Sequence, residues 1–141
     1  MARAEKILII FSNYYEDITQ SLIAGATKVL QEADTDYDQI EVPGVLELPA
    51  ALAMAVKSGN YQGYVMLGCV IRGETSHYEI VSNESARAIM DIACNNHLAL
   101  GNGIQTVENR QQAWARASVD GKNNGGGAAR AALAMKKFVM N

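Results

Sequence analysis

The apolar run Tyr64-Val65-Met66-Leu67-Gly68-Cys69-Val70-Ile71 restricts this 141-residue chain more than any other stretch. It carries no charge and no polar alternation, and turn-forming residues bound it. That is the pattern of a strand buried on both faces. Such a strand needs helices on both sides, which points to an α/β architecture. The run ends in Arg72-Gly73-Glu74-Thr75, and a long helical pattern starts near Ser76. A polar turn feeding a helix leaves backbone N–H groups unpaired where the helix dipole is positive, a setting that suits an anion. His77 falls in the first helical turn, so a proton-transfer group stands beside a phosphate-sized site. The competing reading is an ordinary solvated loop with a surface histidine, and the local pattern does not separate the two.

The rest of the chain repeats the same unit. Ile7–Phe11 is a short run of β-formers. After the turn 12–17, Asp17 is placed to cap a helix with Gln20 in capping-box register. Ile18, Leu22, Ala26, Val29 and Leu30 recur at helical spacing up to about Ala33. Tyr37–Val42 is a weaker, partly alternating strand, broken by Pro43-Gly44. A second helix opens at Leu46-Glu47-Leu48-Pro49 and runs through Lys57, with Pro49 tolerated in its first turn. The third helix spans about Ser76 to Asn95, with Ile80, Ala86, Ile89, Met90 and Ala93 expected inward. Leu98–Val107 is a Gly-interrupted strand, and Glu108–Ala117 a helix with Glu108 at its acid-favouring end. A polar, Gly-rich connector, Ser118–Gly127, whose glycines also fit a flexible linker, precedes a last helix, Ala128–Val139.

Strand and helix alternate four times before a final helix, which predicts one domain (1–141) with a four-stranded parallel sheet flanked by helices in three layers. Ligands of such sheets bind outside the carboxyl ends of the strands. The candidate loops are Ser12–Glu16, Pro43–Glu47, Arg72–His77 and Thr106–Glu108. A net charge of −3 without a basic run argues against nucleic acid as partner. The longest apolar runs fall short of a membrane span, and Met1–Lys6 lacks signal-peptide architecture, so the expected location is cytoplasmic. Cys69 and Cys94 are too few for a disulfide framework or a zinc site, and both are expected reduced, with Cys69 in the core.

Three blocks of the chain, Val42-Pro43-Gly44-Val45-Leu46-Glu47-Leu48-Pro49, Gly68–Glu79 and Gln112-Ala113-Trp114-Ala115-Arg116-Ala117, resemble the signature blocks of the lumazine synthase family in order and spacing. The middle block is the most specific, because Arg-Gly-x-Thr-x-His-aromatic-acid directly after a buried strand is not a common pattern. The resemblance implies a flavodoxin-like strand topology. It also implies condensation of 5-amino-6-(D-ribitylamino)uracil with 3,4-dihydroxy-2-butanone 4-phosphate, with no metal or organic cofactor. Carried onto this sequence, it makes His77 the proton shuttle and Tyr14 the aromatic that stacks on the pyrimidine. Val45 and Leu46 offer backbone groups to the ribityl chain, and Glu47 accepts from its hydroxyls. Cys69, Val70 and Ile71 line the ring. Glu74 and Thr75 hold phosphate, with Arg116 reaching in from a neighbouring subunit. Arg72 is assigned to structure or subunit contact, His97 to the end of a helix, and Trp114 to packing or contact.

The sequence also departs from the family. Leu46 stands at a position often aromatic, Asn102 stands where a neighbour's aromatic often covers the heterocycle, and Asn124 replaces a lysine near the substrate. These departures keep open a non-catalytic lumazine- or flavin-binding or shell-forming protein as the alternative. A flavodoxin-like electron carrier fits less well, because Ser12-Asn13-Tyr14-Tyr15 makes a poor FMN-phosphate loop. The family resemblance implies homopentamers with the active site between subunits, some members forming decamers or 60-subunit shells. It also implies an N-terminal segment, here Ala2–Lys6, added as a strand to a neighbouring subunit's sheet.

Overall fold

The computed structural model describes residues 5–140, the side chains of 139 and 140 excepted. Its centre is a four-stranded, all-parallel sheet in the order β2-β1-β3-β4, formed by β1 (Lys6–Ser12), β2 (Asp36–Val42), β3 (Gly63–Ile71) and β4 (Leu100–Val107). The helices are α1 (Glu16–Glu32), α2 (Leu48–Ser58), α3 (His77–Asn95), α4 (Arg110–Ala117) and α5 (Asn124–Met140), with a 3-10 turn, Val45–Glu47, before α2. The expected three-layer α/β fold is present.

Alternation along the central strands separates two cores. Ile7, Ile9, Phe11, Val65, Leu67 and Cys69 face α1, α4 and α5. Leu8, Ile10, Tyr64 and Met66 face α2 and α3 through Leu48, Leu52, Val81 and Ile89. Both faces of β1 and β3 are therefore covered, which is why their sequences are uninterrupted apolar runs. β2 is an edge strand and largely exposed, which accounts for its weaker pattern. Among the described residues, no helix is long and apolar enough to cross a membrane.

Several local expectations are corrected. Asp17 does not cap α1: the cap position is Tyr15, without a side-chain bond, and Asp17 lies inside the first turn, where it pairs with Arg110. Glu108 precedes α4 rather than opening it. Asn109 takes the cap, its side chain accepting from Gln112 N–H at 2.8 Å, and Glu108 is drawn off by Arg72. On α3 the buried stripe is Val81, Ser85 and Ile89, whereas Ile80 and Met90 stay exposed and Ala86 lies on the outer side. Apolar residues occupy more than one face of that helix, so periodicity alone could not choose the docking face. Of the segment expected to join a neighbour's sheet, residues 2–4 lie outside the described residues, and Lys6 pairs with Asp36 within its own chain.

The largest correction concerns the Gly-rich connector. It is short, because α5 begins at Asn124 and contains Gly125, Gly126 and Gly127. Asn123, at φ 50°, accepts from Gly126 N–H at 3.3 Å, the geometry of an N-cap. A Cβ on Gly125 would lie 2.0 Å from the Leu22 carbonyl oxygen, and one on Gly25 2.2 Å from Asn123 Oδ1. Gly125 thus lies against the backbone of α1, and Gly25 on α1 makes room for the Asn123 side chain and the Gly126 N–H. The same contact explains why Gly25 interrupts an otherwise regular helical pattern.

Candidate active site

The sheet brings three of the four candidate loops to one place. A cleft of about 490 Å³ opens at the carboxyl edge of β1, β2 and β3. Of the residues singled out from the sequence, Tyr14, Val45, Leu46, Glu47, Cys69, Val70, Ile71, Thr75 and His77 line it. Glu74 lies in the same turn, between Gly73 and Thr75, which both line the cleft. Asn102 and Arg116 do not. They line a separate cavity of about 440 Å³ between β4 and the start of α5, with Thr106, Lys122 and Asn124. Arg116 there donates to the Gln112 carbonyl at 3.1 Å, and Asn102 Oδ1 accepts from Ile104 N–H at 2.9 Å on the free edge of β4.

Each wall has a local cause. Tyr14 sits in the β1–α1 turn and is 75% exposed, its ring edge-on to Tyr15 at 5.0 Å. Arg110, from the start of α4, reaches Asp17 and lies 5.9 Å from the Tyr15 ring centre, so α4 braces the turn that carries Tyr14. Burial raises the Tyr15 phenol above its ordinary value. Gly68 lets β3 pass close beneath the Val45 turn: a Cβ there would meet Val45 Cγ2 at 3.1 Å. Glu47 occupies the cap position of α2 but makes no capping bond. Among the described residues its carboxylate makes no hydrogen bond or ion pair, and it borders the cleft.

The turn after β3 has the character its sequence suggested. Among the described residues, the N–H groups of Gly73, Glu74 and Thr75 find no acceptor. Thr75 Oγ1 accepts from His77 N–H at 3.2 Å, and His77 opens α3. Unpaired donors beside a cleft at the head of a 19-residue helix are suited to an oxyanion. Arg72, at the base of the turn, binds both oxygens of Glu108 at 2.8 and 3.1 Å, contacts Glu79, and stacks on Tyr78 with 4.3 Å to the ring centre.

The sequence reading gave no role to Tyr15, Pro43, Gly44, Gly73, Tyr78 or Val81, all of which line the cleft. Tyr78 was detectable as the aromatic following His77. Tyr15 was not, since a turn aromatic has no period to reveal its side. Gln105 was also missed. Although 6% exposed, it is polar, donating to the Gly103 carbonyl at 2.7 Å and accepting from Asn124 Nδ2 at 2.8 Å. The amide of Asn124 is thereby committed to the sheet.

Two predictions arise here. Burial pushes the Cys69 thiol up to about 11. The reactive species is the thiolate, so the native protein at pH 8 should leave Cys69 unmodified by iodoacetamide, while urea-unfolded chain is modified. Peptide mass mapping reads this, and prompt native labelling of Cys69 would contradict its placement. Secondly, the Arg72 guanidinium holds the Glu79 carboxyl below its ordinary value near 4.5. A depressed carboxyl stabilises the fold above its unfolded value and loses that contribution as pH falls through the folded one. Between pH 6 and 3 the melting temperature of wild type should therefore fall slightly more steeply than that of Glu79→Gln, by no more than about 1–2 °C because the pair is solvent-exposed. Parallel curves would mean that the pair contributes nothing.

A parallel α/β sheet with an open, aromatic-walled cleft at its carboxyl edge, bearing an imidazole and a donor-rich turn, defines a small-molecule site of the flavodoxin-like architectural class. The comparisons make the class specific. The family model described as 6,7-dimethyl-8-ribityllumazine synthase matches residues 4–139. Proteins of that name from Bartonella henselae, Bartonella tribocorum and Agrobacterium fabrum are 56%, 54% and 53% identical to this chain. The alignments cover 92%, 96% and 92% of this chain and 84%, 90% and 90% of the respective relatives. The chain belongs to the lumazine synthase family.

Proposed function

We propose that this cleft joins 5-amino-6-(D-ribitylamino)uracil to 3,4-dihydroxy-2-butanone 4-phosphate, giving 6,7-dimethyl-8-ribityllumazine, phosphate and water. This is the penultimate step of riboflavin synthesis, and it makes the protein a transferase. The observation that carries the reading is one cleft holding Tyr14, Glu47, Thr75 and His77 beside three N–H groups without acceptors, in a chain of this family.

The chemistry asks for what the cleft offers. The amine attacks the ketone and loses water to form an imine. Phosphate is then eliminated, and attack by the second nitrogen closes the ring with loss of another water. Every step moves protons and none needs a covalent enzyme nucleophile, so an imidazole at the rim suffices as shuttle. Tyr14 gives the flat heterocycle a face to stack on. Cys69, Val70 and Ile71 wall its edge, Val45 and Leu46 present backbone groups, and Glu47 accepts from the ribityl hydroxyls. The N–H groups of Gly73, Glu74 and Thr75, with the Thr75 hydroxyl, receive the phosphate and stabilise it as it leaves.

Asn102 and Arg116 complete this site only if a second copy brings them to the cleft, since one chain holds them in a different cavity. The same reading therefore includes a homopentamer with sites between subunits, acting in the cytoplasm. Incubating the protein with both substrates and following lumazine fluorescence tests the activity, and native mass measurement tests the assembly. Tight binding of lumazine or flavin without product would overturn the catalytic reading. A monomeric mass at full turnover would overturn the shared site.

A further inference from the structure

We propose that Arg72 is a positioning residue, which fixes the anion-facing turn 73–76 and the first turn of α3 by clamping both to the β4–α4 turn. The inference rests on the reading of that turn as the phosphate site and adds a residue to it that does not touch substrate.

Arg72 is anchored first by its backbone. Its N–H donates to the Val107 carbonyl at 2.9 Å, carrying the β3–β4 ladder one residue beyond the strand. Its side chain then works in three directions. Nε meets both carboxylate oxygens of Glu108, Nη1 contacts Glu79, and the guanidinium carbon lies over the Tyr78 ring, 4.3 Å from its centre. Glu79 is seven residues further along the chain. The guanidinium therefore spans the mouth of its own turn and ties the end of β3 to the start of α3. Between these fixed ends the turn has little of its own to hold it: beyond the His77 N–H bond to Thr75, its donors are unpaired. A segment so poor in internal bonds takes its shape from its ends. Tyr78, which the guanidinium covers, is also a wall of the cleft.

Isolated surface ion pairs contribute little to stability, and these groups are 40–55% exposed. The clamp should therefore matter little to folding and much to geometry, because small misplacements of binding groups are expensive in rate. Lysine cannot replace it, having no planar fork for two carboxylates and a ring.

Inorganic phosphate affinity, measured by titration calorimetry on the purified protein, and two-substrate kinetics provide the test. Arg72→Ala should weaken phosphate binding by about tenfold and raise KM for the butanone phosphate comparably, leaving KM for the pyrimidine within about twofold. Arg72→Lys should recover little. Glu108→Gln, which keeps the contacts to Tyr78 and Glu79, should lose about threefold and serves if Arg72→Ala folds poorly. Phosphate affinity of Arg72→Ala within twofold of wild type would overturn the proposal. So would a parallel rise in both KM values accompanied by a lower melting temperature, or a wild type that does not bind phosphate. A wild type that binds phosphate but forms no lumazine would refute the catalytic reading, while the phosphate series still decides Arg72.

Discussion

Replacing His77 by alanine is expected to slow lumazine formation by about a hundredfold and to leave the fold unchanged. The two halves of this expectation have separate grounds. His77 is exposed at the head of α3, and its backbone N–H, which alanine retains, makes the bond to Thr75. No core contact is lost, so the melting temperature should move by no more than about 1–2 °C. The rate effect follows from the reaction. Imine formation, phosphate elimination and ring closure each transfer protons, and a positioned imidazole contributes about 10²–10⁴ to such steps. The lower end is expected because the cleft is open and water can take over part of the transfer. The proposed stacking and phosphate contacts would remain, so the loss should fall on kcat with little change in KM. Wild-type rates in His77→Ala would remove the imidazole from the mechanism. A rise in both KM values at unchanged kcat would instead make it a binding group.

The largest effect on the fold is expected from Gly125→Ala. The added methyl would sit 2.0 Å from the Leu22 carbonyl oxygen and 2.7 Å from its carbon. These are backbone atoms in the middle of α1, which no rotamer change can move aside. Overpacking of cores typically costs about 1–3 kcal/mol, and a clash with helix backbone belongs at or above the top of that range. At about 3 kcal/mol, the melting temperature of a chain this size should drop by roughly 10 °C. Gly127→Ala is the control, since a Cβ there meets nothing within 4 Å, and alanine is the better helix former by about 1 kcal/mol. Thermal melts of the two variants should move in opposite directions. If Gly125→Ala melted with wild type, α1 and α5 would not be in backbone contact.

The two variants also mark which placements were legible in the sequence and which were not. His77 was legible because its neighbourhood is local: strand, turn and helix start are consecutive in the chain, and the donor-rich turn follows from their order alone. Gly125 was not. Three adjacent glycines after a polar stretch look like a linker, and nothing within that stretch reveals that another helix lies against it. Asp17 and Glu108 were misread for the same reason. Each stands where a helix start favours an acid, yet each is claimed by an arginine from elsewhere, Arg110 and Arg72. The inward face of α3 was misjudged because its apolar residues cover too much of the helix circumference.

What the sequence alone determined is the alternation of strand and helix, the burial of β1 and β3 on both faces, and which polar and aromatic groups the loops after the strands carry. Those properties depend on hydrophobic pattern and on groups close along the chain. The tertiary structure decided the rest. It gathered Tyr14, Glu47 and His77 around one cleft, put Asn102 and Arg116 in another, tied Asn124 to Gln105, and turned a Gly-rich stretch into a helix. Each of these depends on what an element packs against, and packing partners distant in sequence leave no periodic trace in the segments that meet.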